Sequence, residues 1–288
     1  MCLDSPVPQP LNLDALAAKL NLPNETALAR SADMDLGGRS DLRINLMYNP
    51  NDVTTANVVG AEVRHDAYGL LRLERFTGGD LLDIGSHGGA VAILLAKTQP
   101  HVRVHAFEPS PLNYFYLVWN IHRNGVAKRV IPRNIGLSGQ GGTRSFLVSS
   151  QDTTGNRMST NVNGTWNADL WGDAAFKRTV TIQTVRLDEF LDACGLQRAT
   201  IPFMKLDCEG CEYEIVPPNS KFFLHQVRHI AGELHTTGGG TSIEQAQKLT
   251  KQVLCVGRKS LNQSLAANST LRWDTLQNCN KRTIEQRG

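Results

Sequence analysis

From residue 80 onward, apolar strand-like and helix-like segments alternate along the chain. This alternation predicts an α/β fold with a mostly parallel, doubly wound sheet covered by helices on both faces. Two further observations agree. A glycine-rich junction, Asp83-Ile-Gly-Ser-His-Gly-Gly89, falls between the first strand and the helix after it, where α/β folds bind nucleotide-like ligands. The 288 residues, 41% hydrophobic and 20% charged, are enough for a large core without disulfide staples and exclude a disordered or fibrous chain.

The elements read as follows. Asp14 to Leu20 is a helical candidate stopped by Asn21 and Pro23, and residues 1–50 are expected to form an appendage. Between Asp52 and Phe76 the spacing of Val53, Ala56, Val59, Val63 and Leu70 suggests helical packing, interrupted near Gly69. Leu81–Ile84 is a short strand, Ala90–Thr98 an apolar helix stopped by Pro100, and Val102–Phe107 an alternating strand. Asn113–Asn124 reads as a helix, and Arg129–Ile131 with Ile135 as a third strand region. Residues 138–178, rich in Gly, Ser, Asn and Thr, break the pattern; with Trp166 and Trp171 they suggest a loop covering an acceptor site. Thr179–Val185 is then a strand, Leu187–Cys194 a helix, Phe203–Asp207 a buried strand, His229–Leu234 another, and Ser242–Leu254 a last helix. A domain over 51–257 and a polar, weakly structured tail over 258–288 follow.

The net charge of +3 is concentrated in the tail, which holds six basic and two acidic residues. The near-neutral body lacks the dense basic face of a nucleic-acid binder. No run of apolar residues is long enough to span a membrane, and the N-terminus lacks the pattern of a secretion signal, which favours a cytoplasmic location. Six scattered cysteines are expected to be reduced thiols. Cys208-x-x-Cys211 has no matching Cys/His pair, so no metal site is predicted there. The four Asn-x-Ser/Thr sequons carry little weight without a signal.

Chemistry concentrates at strand ends. Gly85 and Gly89 permit a positive φ and a close approach of ligand to backbone, and the helix N-terminus supplies free N–H groups. Glu108, at the end of the second strand, is placed to accept hydrogen bonds from both hydroxyls of a ribose. The dinucleotide fingerprint requires glycine where His87 stands, which counts against a nicotinamide cofactor. Asp83, two residues before Gly85, fits the acid-x-Gly pattern of S-adenosylmethionine sites. Further along, Lys205, Asp207 and Glu209 surround the end of a buried strand, where buried charges must pair or face a polar ligand. His235, with Glu233 two residues before it, falls on the same sheet edge and is a candidate general base.

At this point the chain resembles the FkbM-type S-adenosylmethionine-dependent methyltransferases. The matching segments are Leu82-Asp-Ile-Gly-Ser-His-Gly-Gly89; Ala106-Phe-Glu-Pro-Ser-Pro-Leu-Asn113 with Asn120 and Asn124; Asn134-Ile-Gly-Leu-Ser138; Leu187-Asp188; Met204-Lys-Leu-Asp-Cys-Glu-Gly-Cys-Glu212; and Glu233-Leu-His235. They run in the family's order over roughly residues 78–240. One residue departs: the family usually carries Asn where His87 stands, so the contact of this loop with the cofactor differs here.

The resemblance implies a Rossmann-like methyltransferase fold with an antiparallel edge strand, and methyl transfer to an acceptor hydroxyl on a sugar or other small molecule. It implies a cofactor site of Asp83, Gly85, His87, Gly89, Glu108 and Asn113, and a catalytic group in which His235, or Asp207 with Glu209, binds and deprotonates the acceptor. A divalent cation in that group is possible chemistry but is not predicted. A nicotinamide-dependent oxidoreductase and a catalytically silent binding module with the same fold are the alternatives.

Overall fold

The computed structural model describes residues 10–22, 24–149, 151–158 and 178–235, together with Leu249 and the backbone of 270–277. In chain order, α1 (Leu13–Lys19) and α2 (Glu25–Leu28) precede an antiparallel hairpin of β1 (Arg30–Asp35) and β2 (Arg43–Tyr48). Thr55–Val59 winds as a π-helix into α3 (Gly60–Arg64). Two strand–helix–strand units follow, built from β3 (Asp80–Ile84), α4 (Ala90–Thr98), β4 (Arg103–Phe107), α5 (Pro111–Arg123) and β5 (Val130–Arg133). Next come β6 (Gly136–Ser138), β7 (Gly142–Val148), β8 (Arg157–Met158) and β9 (Arg178–Arg186). The chain continues with α6 (Leu187–Ala193), β10 (Ile201–Leu206), α7 (Glu212–Ile215), α8 (Ser220–His225), β11 (Val227–His235) and β12 (Thr270–Gln277).

The main sheet has the order β12-β11-β10-β3-β4-β5. All its pairings are parallel except β11 with the edge strand β12, which is antiparallel. The chain therefore runs outward from β3 to β5, then resumes on the other side of β3 at β10. This reversal opens a crevice at the carboxyl ends of β3 and β10, the place where open α/β sheets bind ligands.

Burial explains why these segments take these forms. In β3, Leu81 joins the core on one face, while Leu82 and Ile84 join the core on the other, as a period of two requires. Helix α4 is apolar on every side because Ala90 through Ala96 are all buried, in the same cluster as Met34, Ile44 and Leu46 of the hairpin. Helix α5 starts at Ser110, whose side chain accepts the Asn113 backbone N–H, with Pro111 in the first turn.

The Rossmann-like α/β sheet and its antiparallel edge agree with the sequence reading, and three segments differ from it. Residues 30–48, within the expected appendage, form the β1–β2 hairpin and contribute to the main core. The stretch 138–178 is not all loop, because β7 pairs with β8 and β9 in a second sheet of order β6-β9-β7-β8, placing buried Phe146 opposite buried Met158. Within the expected tail, residues 270–277 complete the main sheet. The helix expected over Ser242–Leu254, Leu249 apart, and the covering loop with Trp166 and Trp171 lie outside the described residues.

Candidate functional site

The crevice holds a cavity of about 220 Å³. One wall is the turn that leaves β3. Gly85 has φ +80°, and a Cβ there would fall 1.8 Å from the backbone oxygen of Asp207. The glycine is thus required by the approach of the chain end of β10, a reason different from the ligand contact expected of it. Gly89, at φ +89°, would place a Cβ 2.6 Å from Leu117 Cδ1 of α5, so the packing of that helix also demands a glycine. Gly85 borders the cavity and Gly89 does not.

Asp83 also stands behind the wall. It is fully buried, its carboxylate lies 3.7 Å from Lys205 Nζ, and burial pushes its pKa up. Lys205 Nζ donates to the Gly85 carbonyl at 2.7 Å. Burial disfavours the ammonium, but Asp207 and Asp83 more than offset this and raise its pKa, so the lysine is a buried cation that ties the turn to β10.

Glu108, at the end of β4, borders the cavity and is 5% exposed. Its Oε2 accepts the His87 backbone N–H at 2.8 Å and its Oε1 accepts the Ser110 N–H at 2.9 Å. Burial raises its pKa to about 7 against the pull of those two N–H groups. Asn113 also borders the cavity, where its Nδ2 donates to the Thr153 carbonyl at 3.1 Å. His87 adopts φ +51°, and its Nε2 lies 2.6 Å from Thr153 Oγ1. The ring is held below its usual pKa by burial, which nearby Asp52 only partly counters.

The adjoining wall is acidic. Asp207, Glu209 and Glu233 border the cavity, and His235 stands behind them on β11. His235 Nε2 is 3.3 Å from Glu209, 3.7 Å from Asp207 and 3.8 Å from Glu233, while Nδ1 is 3.3 Å from fully buried Glu212. Burial works against a charged ring, yet Glu209 and Glu212 outweigh it and raise the His235 pKa well above its usual value. Both ring nitrogens therefore face carboxylates, and the ring is an imidazolium at neutral pH. For Asp207, burial would raise the pKa, but the Lys205 ammonium, His235 and the Tyr68 hydroxyl hold it low; Tyr68 donates to Asp207 Oδ2 at 2.7 Å. The sequence reading thus anticipates the company of Asp207, Glu209 and His235, whereas the bordering residues Glu62, Tyr68 and Thr153 escape it.

Glu212 also accepts the Cys208 and Gly210 N–H groups, which fixes the turn after β10. In that turn Cys208 and Cys211, with Cα atoms 5.5 Å apart, form a disulfide. This corrects the expectation of reduced thiols: the tight turn places the two side chains within bonding reach, a local effect that cysteine counting does not register. Asp207, Glu233 and His235 each offer a ligand atom within 4.8 Å of the others, a spacing a divalent cation could bridge. Lys205 already stands 3.3 Å from Asp207. Among the described residues, no helix is long and apolar enough to cross a membrane.

A parallel sheet with one antiparallel edge, a glycine turn and a strand-end glutamate at its switch point define a methyltransferase-type α/β protein. The chain belongs to the FkbM methyltransferase family: the sequence model of the Methyltransferase FkbM domain matches residues 83–276. The family carries the use of S-adenosylmethionine with it and leaves the nicotinamide alternative unsupported. The chain is similar to the methyltransferase sdnD of Sordaria araneosa, with 25% identity over 178 residues, 55% of this chain and 67% of that protein. Among solved structures it is similar to the N-terminal domain of human METTL16 in complex with SAH, with 13% identity, a TM-score of 0.37 and 92% and 95% of the two chains covered. It is also similar to precorrin-6y C5,15-methyltransferase from Geobacter metallireducens GS-15, with 14% identity, a TM-score of 0.36 and 66% and 68% covered. The cavity wall fits the cofactor, since the Glu108 oxygens retain lone pairs and His87 Nδ1 is buried without a hydrogen bond among the described residues.

Proposed function

We propose that the chain methylates a hydroxyl of a sugar or other small molecule. The supporting observation is the line of carboxylates Asp207, Glu209 and Glu233 along the acidic wall, at the ends of adjacent strands. S-adenosylmethionine, when bound, supplies an electrophilic sulfonium methyl. Glu108 receives the ribose hydroxyls, with Asn113 and the Gly85–His87 turn forming the rest of that side. On the acidic side, Asp207 and Glu233 accept from neighbouring hydroxyls of the acceptor and so align the reacting oxygen for in-line attack. Glu209, which borders the cavity beside Asp207, takes the proton of the reacting hydroxyl. His235 is the positioning cation that keeps these carboxylates together. Of the two possibilities read from the sequence, this one favours the carboxylates over the histidine as proton acceptor.

The test uses methyl-labelled S-adenosylmethionine with a library of hydroxylated acceptors, comparing wild type, Glu209→Gln and His235→Gln. Label on oxygen, a kcat loss of roughly 10²- to 10⁴-fold in Glu209→Gln and unchanged rates in chelator support the reading. A chelator-sensitive rate assigns Asp207, Glu233 and His235 to a cation instead. Label on nitrogen, or no transfer to any hydroxylated acceptor, contradicts hydroxyl methylation.

A further inference from the structure

Hydrogen-bond accounting determines the state of His87. Asp52, 3% exposed, accepts at Oδ1 from the Thr54 hydroxyl and backbone N–H, and at Oδ2 from the hydroxyls of Thr55 and Thr153. A carboxylate offers no hydrogen in return. The single hydroxyl hydrogen of Thr153 is thus committed to Asp52, at 2.7 Å. In the 2.6 Å contact between Thr153 Oγ1 and His87 Nε2, the hydrogen must then come from the ring. His87 is therefore the Nε2–H tautomer, and Nδ1 carries a lone pair. That atom is buried and has no hydrogen-bond partner among the described residues, and His87 is one of the residues that border the cavity. A buried acceptor is costly to leave unpaired.

We propose that His87 is a cofactor-binding acceptor whose Nδ1 receives a hydrogen bond from an N–H or O–H of bound S-adenosylmethionine. Asp52, acting through Thr153, is the positioning residue that keeps Nδ1 an acceptor. The proposal rests on the family's cofactor and is independent of the methyl acceptor. Asp52 does not border this cavity and precedes the stretch matched by the family, so the relay brings a segment outside that match to bear on cofactor binding. It also bears on the departure at position 87: an Asn amide can offer its carbonyl about where histidine offers Nδ1, and so needs no relay to make it an acceptor.

Nitrogen-15 spectra of the histidine rings in the free protein test the first half, with the Nε2–H form expected for His87. Asp52→Asn should reverse it. The Asn carbonyl replaces Oδ1, where it still accepts the Thr54 N–H, and its NH₂ donates to Thr153 Oγ1. The Thr153 hydrogen then turns to Nε2, and the ring proton moves to Nδ1. Calorimetry tests the second half: His87→Leu should weaken S-adenosylmethionine binding roughly 5- to 100-fold, whereas His87→Asn should stay near wild type. Asp52→Asn should weaken binding in the wild-type background and have no effect in the His87→Asn background. Repeating the Leu comparison with 5′-methylthioadenosine names the donor. A penalty that persists assigns it to the nucleoside, and one that vanishes assigns it to the amino-acid group.

An Nδ1–H ring in the wild-type spectra overturns the proposal. So does wild-type affinity in His87→Leu, or an Asp52→Asn effect of equal size in both backgrounds, which marks a merely structural residue. Wild-type protein that fails to bind S-adenosylmethionine overturns the cofactor reading and this proposal together, whereas a change confined to these variants isolates the proposal.

Discussion

Replacing Glu108 by Gln is a direct perturbation of the cofactor wall. With a pKa raised to about 7 by burial, Glu108 is half protonated in the free protein near neutrality, whereas a carboxylate receiving two ribose hydroxyls is favoured as the anion. Wild-type affinity for S-adenosylmethionine should therefore rise with pH toward a plateau above 7. At pH 5.5 only about 3% of Glu108 is ionised, which predicts binding weaker by about 2 kcal/mol, or roughly 30-fold, than on the plateau. Burial holds His87 below its usual pKa. Glu108→Gln keeps one acceptor oxygen for the two backbone N–H groups and loses the charge. Its affinity should fall by about 1–3 kcal/mol on the plateau and lose its pH dependence. Titration calorimetry in two buffers of different ionisation enthalpy measures both quantities, and wild type should release about half a proton per site at pH 7. A wild-type affinity that is flat from pH 5.5 to 8, without proton release, would refute the assignment of Glu108 as an anionic ribose acceptor.

Three further outcomes are expected. Gly85→Ala should destabilise the fold by about 2–5 kcal/mol in chemical denaturation, because its Cβ meets the Asp207 carbonyl in a positive-φ turn; an unchanged midpoint would show that the turn can yield. The His235 pKa is raised in the folded state, so its contribution to stability is complete below pH 6.5 and is lost as pH rises through the folded value. Denaturation midpoints should accordingly decline above pH 6.5 in wild type and lose that component in His235→Gln, and identical profiles would contradict the imidazolium. Reducing Cys208–Cys211 should cost about 2 kcal/mol or less, since it closes a very short loop, and should raise the KM for the methyl acceptor while leaving S-adenosylmethionine affinity intact; mass spectrometry of alkylated thiols checks the redox state.

The legible elements are those whose burial has a simple period or a continuous run. Helix α4 occupies the predicted Ala90–Thr98 because it is buried all round, and β3 and β10 are short runs buried throughout. The hairpin β1–β2 is not legible, since Ser31, Asp33, Arg43 and Asn45 alternate with a few inward residues and imitate a polar loop. In β7 only Phe146 is buried, so the strand reads as part of the Gly/Ser/Thr stretch around it. The same distinction holds at the site. Asp207, Glu209 and His235 are legible because two neighbouring parallel strands end there, a placement that follows from topology. Tyr68 and Thr153 reach the site through contacts spanning 139 and 66 residues in sequence, which no local pattern encodes. The Asp52-x-Thr54-Thr55 motif was the available signal for the relay, as an acid followed by hydroxyls at helix-start spacing.

The most direct measurement is a crystal structure of the protein with S-adenosylhomocysteine. The site described here predicts both ribose hydroxyls within hydrogen-bond distance of the Glu108 carboxylate, a ligand N–H or O–H on His87 Nδ1, and the thioether sulfur turned toward Asp207, Glu209 and Glu233. A ribose seated away from Glu108, or a sulfur facing away from those three carboxylates, would contradict it.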